Sequence, residues 1–119
     1  MQVSNQFNRF YHKAILVDFY TRCSVVKFPN WVDAETGEMF EFIKGVHFND
    51  MDDLKQILKN LCALYPNEGN AKMSTNKLSN EQLMTFIEWI FRLASYNHID
   101  MKVVTDEWNR LLYEAGIIK

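Results

Sequence analysis

Three basic side chains lie close together near the start of the chain. Arg9, His12 and Lys13 are separated by one, three or four residues, and positions three and four apart are neighbours on the surface of an α-helix. Side chains at this spacing are suited to act together on one anion. Asn8 and Tyr11 belong to the same segment. We therefore name all five as candidate nucleic-acid contacts, and the alternative is an ordinary solvated helix face.

A polar stretch over residues 66–78 is a second place suited to a phosphate. It contains Lys72 and Lys77 beside the hydroxyls of Ser74 and Thr75, and hydroxyl and lysine side chains are common phosphate contacts. The glycine and lysine spacing of a Walker loop is absent. We add Lys72 and Lys77 to the candidate nucleic-acid contacts, and the alternative is a surface loop with no chemical role.

Three aromatic side chains are candidates for contact with a partner. Trp31 and Phe40 flank the segment DAETGE, and Trp89 lies off the centre of the main apolar helix face. Exposed aromatic rings stack on bases or bind protein partners. The alternative is that these rings cover the helices.

The residue pattern does not indicate catalysis. His12, His47 and His98 are far apart and share no metal-ligand spacing with the two cysteines. No nucleophile stands at a recognised spacing from a base. The sequence therefore predicts no catalytic residue, no metal and no cofactor, and we expect a binding protein that is not an enzyme.

Composition limits the protein class. The chain has 119 residues, of which 48% are hydrophobic, and a net charge of −2, which suits one domain and creates no global positive field for nucleic acid. No apolar run has the length of a membrane span, and the N-terminus lacks a signal-peptide pattern. We expect a cytoplasmic protein without membrane contact, whose Cys23 and Cys62 are buried free thiols.

Hydrophobic periodicity predicts a small, single α+β domain that is mostly α, with about four helices and a β-hairpin between the first and second helices. The expected elements are a helix at 4–23, a β-hairpin at 25–48, a helix at 50–65, a polar loop at 66–78, a central helix at 80–96 and a C-terminal helix at 105–115.

The central helix has the clearest local signals. Ser79 and Gln82 have the spacing of a capping box, and the apolar residues that follow are spaced by three and four. We expect this helix to organise the core, with neighbours on two sides or a partner against Trp89. The last helix is expected to begin with a Thr105 cap and to end at Gly116.

The segments before the central helix have weaker signals. Gly37 supplies the positive φ that a tight reversal requires, and Pro29 makes the first hairpin strand irregular. In the second helix, Lys55 and Lys59 are one turn apart and are expected on the outside.

Short motifs resemble a family of phage proteins. Ser4, Asn8 and Arg9, with Tyr11 close behind, resemble the SxxxNR pattern and following aromatic of the NinB family of phage recombination proteins, known also as Orf. The run MSTNKLSNEQLMTFIEWIFRLASYNHIDM and the segment TDEWNRLLYEAG resemble the last two helices of that family. The sequence departs from the pattern at Phe7, where a glutamine is expected, and at His12, where a tryptophan is expected.

The resemblance implies a function without turnover. Members are homodimeric mediators that bind single-stranded DNA and the host single-strand-binding protein and help a recombinase to load, in the cytoplasm of the bacterial host. The alternative is a phage or mobile-element protein that binds and inhibits or recruits a host protein, such as a defence component, without DNA contact. Salt dependence separates the two, because phosphate contacts weaken steeply with salt and an aromatic protein interface does not.

Overall fold

Four helices and two antiparallel hairpins make up the part of the chain that the computed structural model describes, residues 5–23 and 28–117. The helices are α1, one run formed by Asn5–Phe10, Tyr11–Ile15 and Leu16–Cys23, then α2 (Met51–Leu61), α3 (Asn80–Tyr96) and α4 (Lys102–Glu114). The main hairpin pairs β1 (Phe28–Val32) with β2 (Met39–Val46), and a short one pairs β3 (Asn67–Glu68) with β4 (Ala71–Lys72). The predicted class, α+β and mostly α, is confirmed.

Helix α3 is the centre of the core, as predicted. The Ser79 hydroxyl accepts from the Gln82 amide at 3.1 Å, and the Gln82 side chain accepts from the Ser79 amide at 2.9 Å, so the capping box is present. Seven residues of the helix are buried: Leu83, Phe86, Ile87, Trp89, Ile90, Leu93 and Ala94. Burial of each large side chain stabilises the fold by about 1.5–3 kcal/mol.

Helix α1 contains one π-helical segment, Tyr11–Ile15, which the sequence analysis did not predict. Phe7, Tyr11, Ile15, Phe19 and Cys23 are all buried at a constant spacing of four residues. In a regular α-helix each such step drifts by about 40° around the axis. In the π segment the Leu16 amide donates to the carbonyl of Tyr11, five residues earlier, so one turn contains an extra residue. This extra residue offsets the drift and keeps the buried row facing the core.

The main hairpin has the turn and the irregularity that the sequence predicts. Gly37 has a φ of +78°, and its amide donates to the Asp33 carbonyl at 2.7 Å. The register shifts between Phe28 and Asn30, on either side of Pro29. Asn97, at the end of α3, fixes this strand, because its side chain both accepts from the Asn30 amide and donates to the Asn30 carbonyl at 2.9 Å.

Helix α2 and the segment after it differ from the prediction. Asp50 caps the helix through the Asp53 amide at 2.8 Å, but the helix ends at Leu61 and not at residue 65. The Trp31 indole donates to the Leu61 carbonyl at 2.8 Å and satisfies a carbonyl at this end. The predicted polar loop contains β3, β4 and a 3₁₀ turn at Thr75–Lys77.

Helix α4 begins three residues before the predicted start. The Asp100 carboxylate accepts from the Lys102 amide at 3.0 Å, whereas the Thr105 hydroxyl donates to the Met101 carbonyl at 2.8 Å. Thr105 is therefore inside the helix and is not its cap. Gly116 has a φ of +76° just after the helix, as its predicted role requires.

Two further expectations from the sequence concern the cysteines and membrane-spanning helices, and two predicted element bounds lie outside the described residues. Cys23 and Cys62 are free and buried, and burial raises the pKa of the Cys23 thiol to about 12. None of the described helices is long and apolar enough to cross a membrane. The predicted helix start at Ser4 and residues 25–27 of the predicted hairpin lie outside the described residues.

Candidate nucleic-acid interface

A groove of about 340 Å³ runs between α1 and α4. Its charged lining consists of Arg9 and Lys13 from α1 and Arg110 and Glu107 from α4. Its remaining lining is Phe10, Ala14 and Leu111, with Gln6 at the edge. The structure thus brings two of the predicted basic residues to one surface and adds Arg110, which the sequence analysis did not name.

Three aromatic rings hold the two walls of the groove together. Trp108 of α4 is buried, and its ring centroid lies 5.2 Å from that of Phe7 and 5.9 Å from that of Phe10, which is nearly parallel to it. Such contacts add about 0.5–1.5 kcal/mol each to the burial of the rings. Because the rings fix α4 against α1, the position of Arg110 relative to Arg9 follows from core packing.

The cations of the groove are not neutralised by the described part of the chain. Arg9 and Lys13 are exposed and form no ion pair with any residue in 5–23 or 28–117. Arg110 Nε lies 4.0 Å from Glu114 Oε1, at the limit of a salt bridge between exposed side chains, and such pairs are weak. The groove therefore carries three cations against the single carboxylate of Glu107 in its lining.

Tyr11 and Asn8 do not line this groove, and the burial of Tyr11 contradicts its prediction as a nucleic-acid contact. Tyr11 is 0% exposed and packs on Phe86, at 5.7 Å between ring centroids, so it is not available to stack on a base. Burial raises the pKa of its phenol well above the usual range. Asn8 is half-buried, and its Oδ1 has no hydrogen-bond partner among the described residues.

His12 connects α1 with the 3₁₀ turn that follows β4. Its Nε2 lies 2.9 Å from the Thr75 hydroxyl oxygen, and Thr75 is buried. Burial lowers the pKa of His12, and the charges of Lys55 and Lys59 lower it further. His12 is thus part of a second basic cluster, next to Lys13 in the chain but not in the lining of the groove.

Lys59 of that second cluster corrects another expectation. Its spacing predicts a position on the outside of α2, but Lys59 is only 6% exposed. Its Nζ lies 3.4 Å from the Met73 carbonyl oxygen and 5.5 Å from the centroid of the Tyr65 ring. Burial lowers its pKa, and the neighbouring charge of Lys55 contributes.

The structure does not bring the predicted loop lysines to the groove. Lys72 and Lys77 are absent from its lining. Lys77 Nζ lies 2.8 Å from Glu68 Oε1, with both side chains half exposed. Lys77, in the 3₁₀ turn, therefore already has an anionic partner in Glu68 of β3.

The three predicted partner-binding aromatics have different environments. Phe40 is 45% exposed, and its neighbour Met39 is 47% exposed. Trp31 is partly buried, with its ring centroid 5.4 Å from that of Phe40. Trp89 is only 4% exposed, and its indole donates to the Val32 carbonyl at 2.6 Å. Trp89 is therefore a core residue between α3 and β1, which corrects its assignment to a partner surface.

Within residues 5–23 and 28–117, no group of three or more histidine, cysteine or acidic side chains is placed to hold a metal ion.

Comparison of the chain with models of known protein families, with curated proteins and with solved structures found no match.

Proposed function

We propose that this protein is a non-enzymatic accessory protein of phage-type DNA recombination that binds single-stranded DNA in the groove between α1 and α4. The observation that carries the proposal is the presence of Arg9, Lys13 and Arg110 in one groove. A basic groove that follows the backbone of a strand is a common way to bind single-stranded DNA without sequence preference. The net charge of −2 means that this local surface must supply the attraction.

The apolar lining gives the groove a second property of single-strand binders. Phe10 is partly buried against Trp108, and its ring shares the groove with Ala14 and Leu111. An aromatic or apolar floor beside cations favours unpaired bases, which expose their faces. A duplex hides those faces, so we expect the groove to prefer the single strand.

The biological role in this proposal comes from the resemblance to the NinB family. By that resemblance, the protein would act as a homodimer, bind the host single-strand-binding protein as well as DNA, and help a recombinase to load in the bacterial cytoplasm. Two of the residues that carry the resemblance are Asn8 and Arg9. Arg9 lines the groove, which supports the choice of this surface.

The test is fluorescence anisotropy of a labelled single-stranded oligonucleotide over a salt series, with a duplex of equal length. We expect binding to the single strand that weakens with salt, with a logarithmic slope of about 0.7 for each phosphate contact. Arg9→Ala should weaken binding about tenfold, the effect of one lost charge-assisted contact, and should reduce the slope by about 0.7.

Arg22→Ala is the matched control. It removes the same charge from the same helix, but Arg22 lies thirteen residues from Arg9, about 20 Å along the axis, and pairs with Asp18 at 3.1 Å. Its DNA affinity should stay close to that of the wild type. Equal losses in the two variants, or no binding at low salt, would contradict the proposal.

A second candidate function has one observation in its favour. Phe40 and Met39 are both exposed on β2, and exposed aromatics such as Phe40 are frequent contacts in protein interfaces. In this alternative the protein binds a host protein through the hairpin and has no DNA role. Phe40→Ser would then abolish binding to that host protein with little salt dependence, while Arg9→Ala would have no effect.

A further inference from the structure

The cluster around Lys59 contains a buried positive charge with no described anion to balance it. Lys55 lies one helical turn from Lys59 on α2, and the charges of both lysines act on the His12 ring. No carboxylate of the described residues forms an ion pair with Lys59. A buried charge without a partner is costly, and proteins usually pair it.

The protein acceptors near Lys59 do not satisfy its ammonium group. An ammonium has three hydrogen-bond donors, and the described acceptor is the Met73 carbonyl, at the long distance of 3.4 Å. The Tyr65 hydroxyl also donates to that carbonyl, at 2.5 Å. The Tyr65 ring gives a further weak contact at 5.5 Å. Donor capacity therefore remains for an anion.

Two further groups of the right kind lie on α1 and on the turn that follows Met73, whose carbonyl meets Lys59. Thr75 is only 3% exposed, and its hydroxyl meets His12 Nε2, which leaves Nδ1 of the same ring without a partner among the described residues. His12 and Lys55 each remain partly exposed. They give solvent access to the cluster, while Lys59 and Thr75 form its buried side.

From this arrangement we infer that Lys59, Lys55, His12 and Thr75 form a binding site for a phosphate dianion, either inorganic phosphate or a terminal phosphomonoester. The two lysine charges match the charge of such a group, about −1.5 to −2 at neutral pH. A phosphodiester carries a single charge and matches less well. The site is separate from the groove and does not depend on the proposed DNA function.

The test is NMR titration of the His12 ring with inorganic phosphate, against sodium chloride of equal ionic strength. Bound phosphate should give saturable shifts of the His12 signals and should raise the pKa of His12 toward its ordinary value of 6.5, because an anion stabilises the charged ring. The exposed ring of His98 should respond equally to phosphate and to chloride.

Two variants make the test specific. Lys55→Gln, at a partly exposed position, should fold normally and bind phosphate about tenfold more weakly. Lys59→Met, which keeps an apolar stem of similar shape, should abolish the saturable shift.

Single-stranded oligonucleotides with a 5′-phosphate or a 5′-hydroxyl identify the source of the group. A response to inorganic phosphate, or to the phosphorylated strand and not to its hydroxyl counterpart, supports the site. An unchanged His12 ring with both probes, or equal responses to the two oligonucleotides without any response to inorganic phosphate, overturns it.

Discussion

Nε2 of His12 lies 2.9 Å from the hydroxyl oxygen of Thr75, which is 63 residues away in the chain. This contact joins the polar face of α1 to the turn at Thr75–Lys77. Burial lowers the pKa of this ring, and the neighbouring charges of Lys55 and Lys59 lower it further. The folded state therefore disfavours a proton on this ring.

The first prediction concerns stability at acid pH. Because the pKa of His12 is lowered in the folded state from 6.5, the unfolded chain takes up a proton at a pH at which the folded chain does not. The free energy of unfolding should therefore fall as the pH falls below about 6.5, until the lower folded pKa is passed. Urea denaturation at pH 7.5 and 5.5, in buffer without phosphate, measures this loss.

His12→Gln is the control for that measurement. Glutamine retains a polar partner for Thr75 but does not titrate, so the variant should lose less stability between the two pH values. The carboxylates contribute to both proteins alike. Identical losses in wild type and variant would show that His12 is not responsible.

The second prediction concerns the effect of the buried Lys59 charge on the free energy of unfolding. Lys59→Met should raise the free energy of unfolding by about 1 kcal/mol in the absence of phosphate, because it removes the cost of burying a charge that has no anionic partner among the described residues. Chemical denaturation at pH 7.5 measures the change.

Added phosphate should narrow or reverse the difference in free energy of unfolding between Lys59→Met and the wild type. A ligand that binds only the folded state stabilises it by mass action, so added phosphate should stabilise the wild type and leave Lys59→Met unchanged. A variant that is destabilised without phosphate and gains as much from it as the wild type would contradict this explanation of Lys59.

The third prediction concerns the attachment of the main hairpin. Asn97→Ala removes the acceptor for the Asn30 amide and the donor to the carbonyls of Asn30 and Leu93. Partly buried backbone groups left without partners cost about 1–3 kcal/mol. The loss should appear as a lower urea midpoint with an unchanged m value.

Asn97→Asp separates the two halves of that contact. Aspartate keeps the oxygen that accepts from Asn30 but turns a charged oxygen toward the two carbonyls at the C-terminal end of α3, so its stability should be no higher than that of Asn97→Ala. Equal stability of the alanine variant and the wild type would show that the hairpin does not depend on Asn97.

Local signals explain what the sequence predicts well. The Ser79 and Gln82 capping box and the spacing of apolar residues place α3 at its observed bounds, Asn80–Tyr96. Gly37 and Gly116 have the positive φ expected for them. Each of these features depends on residues a few positions apart, whose preferences are expressed before distant packing is known.

Distant packing explains what the sequence does not predict. Lys59 has the helical position of a surface lysine, but the segment from Tyr65 to Thr75 folds back over it. Tyr11 and Trp89 have the aromatic character of contact residues, but neighbouring elements cover them. One missed feature did have a signal, because the four-residue spacing from Phe7 to Cys23 cannot stay on one side of a regular α-helix.

The last prediction distinguishes the groove from the loop as the DNA surface. Arg110 was not named from the sequence, since its nearness to Arg9 depends on the packing of Trp108 against Phe7 and Phe10. Arg110→Ala should weaken single-strand binding about tenfold and lower the salt slope by about 0.7.

Lys77→Ala removes the same charge, but Lys77 is paired with Glu68, so it should bind as the wild type does. Anisotropy with both variants at three salt concentrations measures the difference. If Lys77→Ala loses affinity and Arg110→Ala does not, the DNA surface is the loop that the sequence indicated, and the groove between α1 and α4 has another use.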